Sequence, residues 1–130
     1  MIAVDTNVVV RLLTSDDARQ AAAARQVFAA EQIWLAKTVL LETAWVLRKL
    51  YRFDETAIRI AFTNLMGLGN IRVEDETSVA AALELSADGV DLADAMHVTS
   101  RPAGSKFVSF DRLLIKRARR AGVAEISGVV

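Results

Sequence analysis

Five short strand-like runs constrain this chain more tightly than anything else in it: Met1 to Val4, Ile33 to Ala36, Ile71 to Val73, Lys106 to Ser109 and Val123 to Ile126. Each is too short for a stable helix, and the segments between them carry apolar residues at helical spacing. Strands separated by helices of about 10 to 15 residues belong to a parallel sheet, because the crossover helix returns the chain to the same sheet end. The expected fold is therefore α/β: a central, mostly parallel, short-stranded sheet flanked by helices on both faces, in three layers.

Helix starts and stops follow from capping chemistry. A short helix is expected after Asp5, through Val8, Val9, Val10, Leu12 and Leu13. Asp16 and Asp17 precede an Ala-rich helix reaching Ala30, with carboxylates at its positive end. Thr38 is placed to cap the next helix, whose apolar stripe is Val39, Leu40, Ala44, Leu47 and Tyr51. Asp54 caps a helix from Glu55 to Met66 that ends at Gly67 and Gly69. Further helices are expected at Asp75 to Ala87, Leu92 to Thr99 and Arg112 to Ala121.

The chain has 130 residues, 53% of them hydrophobic, which is the size and core content of one domain, 1–130. It has no cysteine and one histidine, so thiolate and multi-histidine metal sites are excluded. Any metal would need oxygen ligands. No long uncharged apolar run or signal-peptide pattern is present, so no membrane partner is expected and the expected compartment is the cytoplasm. Sixteen basic residues balance sixteen acidic ones, but they are segregated. Glu74 to Asp94 holds seven acids and no base, whereas Lys106 to Arg120 holds six bases against Asp111. A neutral protein with that distribution binds a polyanion through a local contact rather than a broad field.

Four carboxylates stand against apolar sequence. Asp5 follows the first strand and Asp111 lies just past the fourth; Glu42 and Asp94 lie near helix starts. In a parallel sheet, ligands bind at the carboxyl ends of the strands, and right-handed crossovers can bring such positions to one rim. Carboxylates that close raise one another's pKa unless a cation stands between them, and Mg²⁺ or Mn²⁺ suits oxygen ligands. Such a site polarises a phosphodiester and activates water. Each carboxylate alone also has a local explanation: Asp5 as a turn former toward Asn7, Asp111 as a helix cap, Glu42 as a partner of Arg48 or Lys49, and Asp94 as a first-turn acid.

The blocks around these residues resemble a known family. Val4-Asp5-Thr6-Asn7-Val8-Val9-Val10 is similar to the opening of PIN-domain ribonucleases, especially the VapC-type toxins of type II toxin–antitoxin pairs. Leu41-Glu42-Thr43-Ala44-Trp45-Val46-Leu47 resembles the helix that contributes the family's glutamate. Val90-Asp91-Leu92-Ala93-Asp94-Ala95-Met96-His97 and Val108-Ser109-Phe110-Asp111 resemble its third and fourth blocks. The four occur in family order across residues 4 to 111. The resemblance implies a PIN-like fold and an endoribonuclease dependent on one or two Mg²⁺ or Mn²⁺ ions. Asp5, Glu42, Asp94 and Asp111 would form the catalytic, metal-holding pocket, where metal-activated water attacks the scissile phosphorus. It further implies that Thr6 or Asn7 fixes that pocket, that Ser109 lies at its rim, and that the partners are RNA, a second copy and a small antitoxin. An RNA-processing nuclease without a toxin role, and a catalytically silent binding domain, are the competing readings.

Asp91 reads as the cap of the helix at Leu92, or as a charge beside the metal pocket. His97, among Ala95, Met96 and Val98, reads as a structural helix residue or as a neighbour of the pocket. Arg11, Arg112 and Lys116 are the candidates for holding RNA phosphates, the last two sharing one helix face. The segment from Leu41 to Leu50, with Trp45, and the following one, with Ile58, Ala61, Phe62 and Leu65, are apolar on more than one face. Core packing accounts for part of that; a two-fold interface or an antitoxin groove accounts for an excess.

Overall fold

Aspartates set the helix starts in this chain. In the computed structural model, which describes residues 1–130, the elements run β1 (Ile2–Ala3), α1 (Thr6–Leu13), α2 (Ala18–Ala30), β2 (Ile33–Leu35), α3 (Lys37–Leu50), α4 (Glu55–Met66), β3 (Ile71–Val73), α5 (Glu76–Ala87), α6 (Leu92–Thr99), β4 (Phe107–Ser109), α7 (Arg112–Arg120) and β5 (Ile126–Gly128). Asp5, Asp17, Asp54, Asp91 and Asp111 are the N-caps of α1, α2, α4, α6 and α7. Each accepts a hydrogen bond from the backbone N–H three residues on, at 2.8 to 3.3 Å. A carboxylate there satisfies an orphan donor and meets the positive end of the helix dipole.

α3 lacks such a cap. Thr38 does not cap it: the helix already begins at Lys37, and Ala36 at the cap position has no side-chain acceptor. The role passes to a residue remote in sequence. Glu74, just after β3, accepts a 2.8 Å bond from the Lys37 backbone N–H. Lys37 Nζ in turn pairs with Asp75 at 3.0 Å.

The chain divides into two compact units, Met1–Glu76 and Thr77–Val130. In the first, β1, β2 and β3 form a parallel sheet in that order, with Ile2 opposite Ile33 and Ile33 opposite Ile71. Ile33, Leu35, Ile71 and Val73 are buried from the sheet, with Val9 and Val10 from α1, Leu40 and Leu47 from α3, and Ile58 and Phe62 from α4. On α2 the small residues Ala21 and Ala24 are buried alongside Phe28, so the Ala-rich composition serves close helix packing. A polar staple closes α1 onto its neighbours. Arg11 donates to Gln20 at 2.6 Å, to Asp16 at 3.1 Å and to Tyr51 at 2.9 Å, and Tyr51 donates to Asp16 at 2.7 Å. The Tyr51 bond, then that of Thr14 and the charge of Arg11, hold the Asp16 carboxyl below its ordinary range.

In the second unit, β4 and β5 pair in parallel, Phe107 with Ile126 and Ser109 with Gly128. β5 starts three residues later than the apolar pattern suggests. Gly122 (φ 92°) and Glu125 (φ 53°) occupy left-handed backbone after α7, so Val123 lies in the turn and the extended segment begins at Ile126. Val79, Ala82, Leu83 and Leu85 of α5, Leu92, Ala95, Met96 and Val98 of α6, and Leu114, Ile115 and Ala118 of α7 are buried. Thr99 of α6 donates to the Ser78 carbonyl of α5 at 2.8 Å. No helix is long and apolar enough to cross a membrane.

The excess apolar surface read from α3 and α4 divides in two. Ile58, Phe62 and Leu65 are core residues, so packing alone explains them. Trp45 and Leu50 of α3 and Ile60 of α4 remain more than half exposed. Truncating the fully buried Phe62 to Ala should therefore cost about 3–5 kcal/mol of unfolding free energy in urea denaturation. Ile60→Ala on the same helix should stay within about 0.5 kcal/mol of the parent.

Candidate active site

Each unit carries one acidic pocket. In Met1–Glu76 it is lined by Asp5, Thr6, Thr38, Val39 and Glu42 and has a volume of about 210 Å³. β1 delivers Asp5 at its carboxyl end, and the cap bond to the Val8 N–H fixes one carboxylate oxygen. Glu42 lies one turn into α3, and the Thr6 hydroxyl, buried on α1, donates to its Oε1 across 36 residues of sequence. The bond from Thr6 replaces the local pairing of Glu42 with Arg48 or Lys49; Arg48 pairs instead with Glu55. Asp5 and Glu42 are both solvent-exposed.

In Thr77–Val130 the pocket is lined by Val90, Asp91, Asp94, Asp111, Leu113, Leu114 and Arg117 and encloses about 180 Å³. Asp91 caps α6 through the Asp94 N–H, which seats the two carboxylates of α6 one turn apart. Asp111 caps α7 through the Leu114 N–H at 3.0 Å, and its own N–H donates to Ser109 Oγ at 2.9 Å, so Ser109 shapes the turn that presents Asp111. Burial, then the charges of Asp91 and Asp111, raise the Asp94 pKa above the ordinary carboxylate value. His97 acts the other way and favours the ionised form. That histidine is exposed rather than packed among Ala95, Met96 and Val98 as a core residue.

The remaining candidates separate. Thr6 faces the first pocket, whereas Asn7 lines a different, largely apolar groove with Val8, Arg11, Gln20 and Ala24. Arg11 gives its bonds to Asp16, Gln20 and Tyr51. Arg112 and Lys116 do share a face: with Ile115, Arg119, Gly128 and Val130 they line a cleft of about 390 Å³. Arg117, not among the RNA-binding candidates named from the sequence, reaches the acidic pocket of its unit. Its position six residues after Asp111, one turn past Leu113 and Leu114, is the signal that would have found it.

The donors of both pockets are carboxylates, with no thiol, and carboxylate oxygens suit hard divalent cations such as Mg²⁺ and Mn²⁺. Within neither unit do three or more acid or histidine side chains group to hold an ion. Mg²⁺ keeps several waters and commonly takes only one or two carboxylates plus substrate phosphate, so the pairs present fit its chemistry.

A family model for the PIN domain matches residues 2–120 of this chain, and the chain belongs to the PIN-domain family. PIN domains are generally nucleases, and those nucleases usually use divalent metals. No curated protein matches the chain.

The Asp94 environment has a measurable consequence. A carboxyl whose pKa is higher folded than unfolded binds its proton more tightly in the native state. The native state therefore incurs a penalty that is absent below the unfolded pKa and fully present once pH has risen through the folded one. Asp94→Asn removes the charge, so its thermal midpoint in chelator should lie above the parent's at neutral pH and converge with it on acidification. Calorimetric scans across pH check this. At Asp111 the cap predicts a split: Asn, an equally good N-cap, should leave stability unchanged, and Ala should cost about 1 kcal/mol.

Proposed function

We propose that this protein is a Mg²⁺- or Mn²⁺-dependent endoribonuclease, the toxin of a toxin–antitoxin pair, whose chemistry is carried by carboxylates. The observation that carries the reading is Asp94, half-buried beside the negative charges of Asp91 and Asp111. Fixed carboxylates in mutual repulsion are costly unless a cation joins them. Membership of the PIN-domain family over residues 2–120 supports the same conclusion.

Asp5, Glu42, Asp94 and Asp111 would hold the metal, whose chemistry when bound is to polarise the scissile phosphate and make a neutral-pH nucleophile of water. Each protein group has a separable task. The cap bonds of Asp5 and Asp111 and the Thr6 hydroxyl on Glu42 hold carboxylate oxygens in place before substrate arrives, so that little reorganisation is left for the reaction. A carboxylate of the set accepts the proton of the attacking water. Arg117 offsets part of the negative charge that the phosphodiester must approach, and Arg112 and Lys116 hold neighbouring phosphates. Asp91 orients the first turn of α6, and thereby Asp94, through its cap. Arg11 acts on the posture of α1 rather than on substrate. The exposed Trp45, Leu50 and Ile60 support protein partners, a second copy and a small antitoxin.

Asp5→Asn and Asp94→Asn should each lose at least a hundredfold in cleavage of single-stranded RNA while melting cooperatively. EDTA should abolish the parent's activity, and Mg²⁺ or Mn²⁺ restore it. Parent-level cleavage by either variant, or in chelator, would overturn the assignment. Growth arrest on expression, relieved by the product of a neighbouring small gene, tests the toxin role separately.

A further inference from the structure

The α7 helix presents two different faces. Arg112, Ile115, Lys116 and Arg119, spaced at i, i+3, i+4 and i+7, line the cleft of about 390 Å³, and no carboxylate side chain lines it. Leu113, Leu114 and Arg117, with the cap Asp111, line the acidic pocket. By helical rotation the two stripes are roughly opposite. The head of the helix stands between them, and the residue there is Phe110, at 75% exposure the most exposed aromatic of the chain.

That exposure is built, not frayed. Phe110 is bracketed by the bond from the Asp111 N–H to Ser109 Oγ and by the Asp111 cap on Leu114, and Ser109 is paired through β4 with Gly128. Val108 and Leu113 beside it are also about half exposed, giving a small apolar patch at the boundary between carboxylates and cations. A ligand suited to all three needs a flat apolar face and negative charge on one short repeat. A nucleotide has both.

We propose that Phe110 is a stacking platform for an unpaired base of the substrate, with an adjacent phosphate of the same strand on Arg112, Lys116 and Arg119. Phe110 is thus a positioning residue that restricts the enzyme to single-stranded RNA, since a base inside a duplex has no free face to offer. The proposal rests on the nuclease reading for its biological meaning, but its test needs no cleavage.

The test measures anisotropy of a short fluorescein-labelled oligoribonucleotide binding to the Asp94→Asn protein in EDTA at fixed low salt. Phe110→Ala should weaken binding about tenfold, Phe110→Trp should restore it, and Phe110→Leu, which keeps apolar area without an aromatic face, should not. On an abasic strand of equal length Phe110→Ala should have no effect. Lys116→Glu should weaken both strands, as a phosphate contact must. Because Phe110 is exposed, melting curves of its variants should overlay the parent's. Equal affinity of Phe110→Ala and parent for the base-bearing strand, equal losses on both strands, or no RNA binding by the parent would each overturn the proposal. If the binding pattern holds and the metal-loaded parent cuts nothing, stacking stands and the nuclease reading falls.

Discussion

The placement of acidic side chains in this protein depends on one local interaction used repeatedly, the bond from a helix's first-turn N–H to an aspartate carboxylate. Asp5 and Asp111 sit where an extended segment turns into a helix, Asp91 sits in the turn between α5 and α6, and each gives one oxygen to the backbone. The bond does two things at once. It starts the helix, worth about 1 kcal/mol, and it immobilises a charged group that would otherwise sample several rotamers. A parallel α/β fold generates such junctions at every strand end, which is why acid-dependent sites accumulate on that rim.

Glu42 shows the complementary strategy. It lies inside α3, where no cap can hold it, and the Thr6 hydroxyl from α1 supplies the constraint instead. Thr6 is buried, so its hydroxyl needs an acceptor, and the exposed glutamate supplies one. The same economy operates at Lys37, whose N–H would be an orphan if Glu74 did not reach it from the end of β3. The sheet order β1-β2-β3 is what brings residues so far apart in sequence to neighbouring strand ends in this unit.

These contrasts explain what could be read from the sequence. Interactions within four residues were legible: Asp54 and Asp91 as caps and the limits of α4 and α6 follow from residue type and spacing. The aspartate at the end of β1 was equally plain, but its acceptor role differs from the expected turn toward Asn7, because the chain enters α1 at once and the Val8 N–H is the orphan in reach. Long-range substitutions for a local rule were not legible. Nothing near Ala36 announces that Glu74 replaces a cap, and nothing near Arg11 announces that Gln20, Asp16 and Tyr51 take its donors. On α4, helical periodicity put Ile58, Phe62 and Leu65 on one stripe but could not say whether that stripe faced the core or a partner. Burial settles it for the core and leaves Ile60 outside.

Charge segregation along the chain acquires a structural meaning from α7. The last two acids of the stretch ending at Asp94, Asp91 and Asp94, line one pocket with Asp111, which caps this helix, and with Arg117 from the basic stretch along it. Arg117, Arg119 and Arg120 lie in its last turn, where they complement the negative end of the dipole, just as Asp111 complements the positive end. Helix electrostatics alone therefore favour the distribution of charge that a phosphodiester nuclease needs, with negative groups where a metal would bind and positive groups a turn or two away. At zero net charge there is no long-range attraction for a polyanion. Any capture of a nucleic acid must then come from short-range contacts, and the head of α7 and the residues before it place cations, an exposed aromatic ring and a carboxylate within one run of ten residues, from Phe110 to Arg119.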